Sequence, residues 1–262
     1  GMRLQAVVER WERAWDRGDE RNRRPRESLW ATVVRQMRAL DRRPPGHVPF
    51  FNGNLFKPHP SENLILGDDW LAKFIGGLSA DLSPYLFNVI PVEILGSVYE
   101  RFLGKIVRPQ GRGVIIEQKP EVRKAGGVFY TPRYIVDYII EQTVGCQLGT
   151  VAEARTFSQF SRSTCNLRFL DPACGSGSFL IRTYERVCEH WQRRLTSHPT
   201  ERKKELCWVD PVTHDVHLTV DLKRRILCDN IYGVDVDAQA VEVTQLSLYL
   251  KMLENESRTT LQ

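Results

Sequence analysis

Apolar positions recur at helical spacing through the first forty residues. Leu4, Val7, Val8, Trp11 and Trp15 fall on one stripe, and Leu29, Val33, Met37 and Leu40 fall on another after a polar, Arg-rich interruption. Two amphipathic helices therefore open the chain. Pro44, Pro45, Pro49, Pro58 and Pro60, with Gly46 and Gly53, predict an irregular stretch over residues 42–60. Beyond it, Asp68 or Asp69 can cap a helix presenting Leu71, Phe74, Ile75 and Leu78. Pro91 then opens a helix over residues 92–103, with Val92, Leu95, Tyr99 and Phe102 on one side and Gly104 near its stop. Residues 1–120 read as a mostly helical region.

The pattern changes after Arg112. Residues 114–117 are a short β-branched run, and Thr131-Pro132 starts a helix at Arg133 with Ile135, Val136, Ile139 and Ile140 inward. Residues 167–170 form an apolar strand closed by Asp171 and Pro172, and helical spacing returns at Phe179. A second strand over residues 231–236 precedes a helix carrying Val241, Leu246, Tyr249, Leu250 and Leu253. Strand, helix, strand, helix is the start of a doubly wound parallel sheet. A polar insertion at residues 196–218 contains a small hairpin, 207–209 against 216–218. The expected class is α/β: a partial Rossmann-like core over residues 121–262, preceded by the helical region.

Composition changes this picture little. The 262 residues are 42% hydrophobic and 26% charged, which is globular. No apolar run approaches a membrane span, and the N-terminus has no apolar signal core, so the cytoplasm is the expected compartment and no membrane partner is expected. Gly1 ahead of Met2 reads as the remnant of a cleaved tag. The net charge of +5 sits in residues 1–43, where twelve Arg face seven acids. Arg17, Arg21, Arg23, Arg24 and Arg26 could touch phosphates, or form a solvated face or linker. The cysteines at 146, 165, 174, 188, 207 and 228 show neither a C-x-x-C pair nor zinc spacing, so no disulfide and no metal are expected.

The chemistry lies in a strand, a glycine turn and a helix start: Phe169-Leu170-Asp171-Pro172-Ala173-Cys174-Gly175-Ser176-Gly177-Ser178-Phe179-Leu180. Gly175 and Gly177 let the backbone approach a ligand while the N–H groups of the following helix face the same spot. Asp171 would repel a pyrophosphate but can accept from an ammonium, which favours the methionine end of S-adenosylmethionine. The plain alternative is a structural turn with Asp171 as helix cap. Asp235, at the end of the second strand, can accept from both hydroxyls of a ribose. It stands 58 positions past Gly177 rather than the usual ~20, a gap the insertion explains and one that weakens a dehydrogenase reading. Asp237 is the expected cap of the next helix.

The full string resembles the S-adenosylmethionine motif of the adenine amino-group DNA methyltransferases of type I and type IIG restriction-modification systems. Gly127-Val128-Phe129-Tyr130-Thr131-Pro132-Arg133-Tyr134-Ile135-Val136 and Asn230-Ile231-Tyr232-Gly233-Val234-Asp235-Val236-Asp237 resemble its flanking segments, in the same order. Phe51-Asn52-Gly53-Asn54-Leu55-Phe56 and Ile94-Leu95-Gly96-Ser97-Val98-Tyr99-Glu100-Arg101-Phe102-Leu103-Gly104 resemble parts of its helical N-terminal region. The resemblance implies that Phe129, Tyr130, Thr131, Asp171, Ala173, Cys174, Gly175, Gly177, Asp235 and Val236 line the cofactor site. It also implies that the whole protein acts on double-stranded DNA, with a specificity or nuclease subunit or domain as a further partner. The family holds its flipped adenine with an Asn/Asp-Pro-Pro-aromatic string. This sequence has none: Pro44-Pro45 is followed by Gly46, and Ser83-Pro84-Tyr85 reads as a turn. The chain alone is therefore expected not to methylate DNA. Rival readings are a methyltransferase of RNA or protein, and a non-enzymatic defence module with a relic cofactor site.

Overall fold

The computed structural model describes residues 7–9, 11–13, 27–40, 58–78, 94, 96, 98, 105–111, 113–118, 131–254 and 256. The chain divides into two compact units, Gly1–Ile90 and Pro91–Gln262.

In the first unit, helices α1 (Leu29–Leu40) and α2 (Asp68–Gly77) bury Leu29, Val33, Leu71 and Ile75 against Val7 and Val8. Of the expected stripes, Val7, Val8, Leu29, Val33, Leu71 and Ile75 are buried and Trp11 is half-buried, whereas Met37, Phe74 and Leu78 are exposed; the Leu40 side chain lies outside the described residues. Phe74 stacks instead on exposed Trp70, with ring centroids 5.4 Å apart. Asp68 and Asp69 do not cap α2. Gly67 holds the cap position, and the Asp68 carboxylate accepts from Leu29 N at 2.9 Å, joining the two helices. Residues 4, 15, 17–26 and 83–85 lie outside the described residues, as do residues 42–57 of the irregular stretch.

The second unit opens with helical positions at Ile94, Gly96 and Val98, followed by an antiparallel hairpin of β1 (Lys105–Gln110) and β2 (Gly113–Gln118). The β-branched run at 114–117 falls in β2. Its partner β1 was not foreseen, because Arg108 and Pro109 break the apolar alternation. Helix α3 (Arg133–Ile140) begins where expected, but Pro132 rather than Thr131 occupies its cap position. Val136 and Ile140 are buried, whereas Ile135 and Ile139 are exposed. A π turn, Glu141–Gly145, carries α3 into α4 (Cys146–Ala152), and α5 (Phe157–Asn166) follows. The Thr156 hydroxyl caps α5 by accepting from Gln159 N.

Strand β3 (Phe169–Asp171) leads through the glycine turn into the 20-residue helix α6 (Ser178–Ser197). Leu180, Ile181, Tyr184, Val187, Trp191 and Leu195 form the centre of the core. The insertion then folds as expected: β4 (Cys207–Val209) pairs antiparallel with β5 (Val216–Leu218), Cys207 opposite Leu218. Thr219 caps α7 (Val220–Asn230), accepting from Leu222 N and donating to Glu205 O at 2.8 Å. Strand β6 (Ile231–Gly233) pairs parallel with β3, and α8 (Ala238–Leu253) follows.

The result is a mixed, mostly helical fold in which the expected doubly wound sheet is represented, among the described residues, by one parallel pair. Leu170, Val234 and Val236 are exposed. Helix α8 buries Ala240, Thr244, Ser247, Leu248 and Met252; of the residues expected inward, Tyr249 and Leu253 pack partly buried against the core and Leu250 is exposed. Apolar residues surround this helix, so spacing alone could not choose its inner face.

Candidate cofactor site

The turn between β3 and α6 is stitched to the end of β6 by its main chain. Val234 N donates to Asp171 O, and Cys174 N to Val234 O, each at 2.9 Å. Gly175 N donates to Asp235 Oδ2 at 2.8 Å, across 60 positions of sequence. Asp235 Oδ1 accepts from Asp237 N at 2.8 Å. With Asp171 in register with Gly233, the two acids stand at adjoining strand tips.

Their local roles differ. Asp171 Oδ1 accepts from Ala173 N at 3.0 Å, which fixes the turn and leaves Oδ2 open. Both oxygens of Asp235 already receive a backbone N–H, so ligand hydroxyls could reach it only through the remaining lone pairs. Asp171 does not cap α6: Gly177 takes that position without a side-chain cap. The first N–H groups of α6 thus have no partner within the helix, a feature suited to an anionic or polar group. Asp237 does cap α8, accepting from Gln239 N at 2.9 Å.

The glycines are required by conformation and by space. Gly175 has φ 52° and Gly177 φ 88°, both left-handed. A Cβ on Gly177 would lie 2.6 Å from Thr244 Cγ2. Thr244, 4% exposed, donates its hydroxyl to Gly175 O at 2.8 Å. On Gly233 a Cβ would lie 2.5 Å from Leu180 Cδ1, and on Gly96 it would lie 2.8 Å from Ser176 Oγ. Gly96, Gly233 and Thr244 therefore shape the turn although none was a candidate site residue. Their signal was present: two glycines inside the matched strings, and small residues at 240, 244 and 247 marking one face of an apolar helix.

Cys174 is buried in the turn. Burial first, then the charges of Asp235 and Asp171, push its thiol above the ordinary range. Thr131 is half-buried ahead of α3, Ala173 and Val236 are exposed, and Phe129 and Tyr130 lie outside the described residues. A cavity of about 630 Å³ borders Asp171, Pro172 and Phe179 together with Ile139, Thr143 and Gln147. No residue of β6 and neither turn glycine lines it, so it serves the Asp171 side of the turn alone. The backbone cradle, the open Asp171 oxygen and this cavity fit the methionine end of a nucleoside cofactor.

A glycine turn between a strand and a helix, with acids at adjoining strand tips, could hold a nucleoside cofactor, and comparison with known proteins bears on what class of protein carries it. Residues 149–261 match the family described as MmeI, DNA-methyltransferase domain. The chain is similar to DNA methyltransferases of restriction-modification systems. It is 29% identical over 231 residues to the type II restriction enzyme and methyltransferase RM.Eco57I of Escherichia coli, covering 88% of this chain and 21% of that protein. It is 25% identical over 248 residues to the putative type II restriction enzyme and methyltransferase RM.MjaORFECS2P of Methanocaldococcus jannaschii, covering 79% and 19%. The adenine-specific methyltransferase BrxX of Escherichia coli O9:H4 (strain HS) is 22% identical over 191 residues, covering 64% and 14%. The chain thus spans about a fifth or less of the length of these relatives. No solved structure matches it.

Proposed function

We propose that this chain is the S-adenosylmethionine-binding portion of a site-specific DNA adenine methyltransferase from a restriction-modification system. The observation that carries the reading is the left-handed glycine turn latched by Gly175 N to Asp235 Oδ2 at the tip of a parallel strand pair. In this reading Asp171 Oδ2 accepts from the cofactor's ammonium group, and the first turn of α6 faces its polar end with unspent N–H groups. Asp235 accepts from the ribose while keeping the turn in place. Thr131, with Phe129 and Tyr130, completes the methionine pocket; Ala173, Cys174 and Val236 supply wall. The bound sulfonium supplies an electrophilic methyl group.

The acceptor is the amino group of a flipped adenine in double-stranded DNA. The Asn/Asp-Pro-Pro-aromatic string that would hold it is missing from this sequence, so the chain alone binds cofactor without transferring methyl groups. The complete protein works in the cytoplasm with a specificity or nuclease subunit or domain.

Calorimetry of the chain with S-adenosylmethionine tests the reading. Saturable heat is expected, with affinity falling about tenfold in Asp171→Asn through loss of one charge-assisted bond. Absence of saturable heat overturns the cofactor assignment. Catalytic methylation of DNA by the purified chain overturns the division of labour.

A further inference from the structure

The inserted hairpin plays no part in the cofactor site, yet it walls a second cavity of about 330 Å³. Tyr184 and Cys188 of α6, Trp208 and His217 of the hairpin, Lys223 of α7 and Glu256 line it. Asp171, Asp235 and the turn glycines do not. One buried polar atom here lacks a partner and a second has only a soft one. The Glu256 side chain is 4% exposed, and Oε1 pairs with Lys223 Nζ at 2.5 Å. Its Oε2 is buried with no hydrogen-bond partner, and the hydroxyl of Tyr184, a residue 3% exposed, has only the Cys188 thiol beside it. A buried acceptor left without a donor is costly, so these atoms favour a ligand that donates to them.

The chemistry of the walls narrows that ligand. An ionised carboxylate oxygen only accepts, so the ligand must donate N–H or O–H. Four glutamates, at 185, 189, 254 and 256, face two lysines, at 223 and 251. Glu185 and Glu254 share Lys251, at 2.5 and 2.7 Å. Arg182 and Arg186 hold Glu189. With Arg182 and Arg186 counted, four cations balance the four glutamates, so the preference for a cation rests on the unspent Glu256 oxygen and on the aromatic wall. Trp208 stacks on His217 with centroids 4.5 Å apart, giving an aromatic wall suited to an alkyl stem and its cationic head. An ammonium has three compact donors, enough for Glu256 Oε2 and Tyr184 Oη together, whereas a planar guanidinium fork asks for two acceptors side by side.

We propose that this cavity is a second binding site, separate from the cofactor site, for an organic primary ammonium group. The probe is n-butylammonium chloride, titrated into the full chain by calorimetry while the Trp208 indole N–H resonance is followed. Saturable binding is expected, with a shift at Trp208. Glu256→Gln should weaken it about tenfold or more, and neutral n-butanol should not bind. Asp171→Asn should leave it unchanged, which separates this site from the cofactor's own ammonium pocket. A second variant, Trp208→Leu, guards against misfolding of the first. The proposal is overturned by no saturable heat, by equal binding of n-butanol, by undiminished binding in both variants, or by competition from S-adenosylmethionine.

Discussion

Replacing Gly177 by alanine places two separate strains on the glycine turn. The backbone stands at φ 88°, where an L side chain costs about 1–2 kcal/mol. The new methyl group would also sit 2.6 Å from Thr244 Cγ2 and 2.8 Å from Thr244 Oγ1. Thr244 cannot simply rotate away, because its hydroxyl is spent on Gly175 O and the residue is buried. Overlap of this kind typically costs a further ~1–3 kcal/mol. The expected loss for Gly177→Ala is therefore roughly 2–5 kcal/mol. Thr244→Ala alone should lose about 1–2 kcal/mol through the hydrogen bond and the missing methyl. In the double variant the two closest atoms are gone, leaving Thr244 Cβ at 3.1 Å. Its loss should fall short of the sum of the single losses by about 1–2 kcal/mol. Amide hydrogen exchange of α6 peptides across a urea series reads this unit separately from Gly1–Ile90. A loss below about 1 kcal/mol in Gly177→Ala, or strict additivity in the double variant, refutes the account of the turn.

Three further outcomes follow from buried polar groups. His190 is stacked on Phe160, and burial, with lesser repulsion from Arg193, Arg186 and Arg194, pulls its pKa down to about 4. The unfolded chain therefore binds the proton first: stability contributed by neutral His190 is complete above about pH 6.5 and is lost as pH falls toward 4. His190→Phe should flatten that part of a stability-versus-pH curve. Asn230, 1% exposed, donates to Thr164 O at 2.8 Å and Leu167 O at 2.7 Å, tying the end of α5 to the start of β6. Asn230→Leu should destabilise by about 2–4 kcal/mol in chemical denaturation, and no loss would show the tie to be dispensable. Among the thiols, Cys174 is raised by burial and two acids, and burial pushes Cys188 up to about 12. Mass spectrometry after brief iodoacetamide treatment should find exposed Cys146 and Cys228 labelled well before either.

Much of this architecture could be read from local chemistry. The hairpin of the insertion came from two short alternating runs, the Asp237 cap from its residue type, and the tight turn from two glycines between a strand and a helix. Burial faces were less legible. Ile135 and Ile139 read as inward by their spacing, and Leu170, Val234 and Val236 read as strand residues, yet all five are exposed. Strands of a parallel sheet are normally covered on both faces, and apolar spacing encodes burial without saying which neighbour provides it. Helix α8 shows the converse: beside the core residues Leu248 and Met252 it buries Ala240, Thr244 and Ser247, small residues that allow close approach rather than supply area.

Asp235 shows why a candidate residue's identity can be legible while its task is not. The sequence marks an acid just past a strand, and ribose recognition is the obvious use of such a carboxylate. In the fold it receives Gly175 N on one oxygen and Asp237 N on the other, which welds the glycine turn to the start of α8. These uses are compatible only because each carboxylate oxygen has a second lone pair. An asparagine at 235 would keep one acceptor and turn the other into a donor facing a backbone N–H, so the turn itself would open. Loss of cofactor affinity in such a variant would report the latch as much as a ribose contact. Asp171, whose Oδ2 carries no structural bond, is the acid at which ligand binding can be tested without dismantling the turn that presents it.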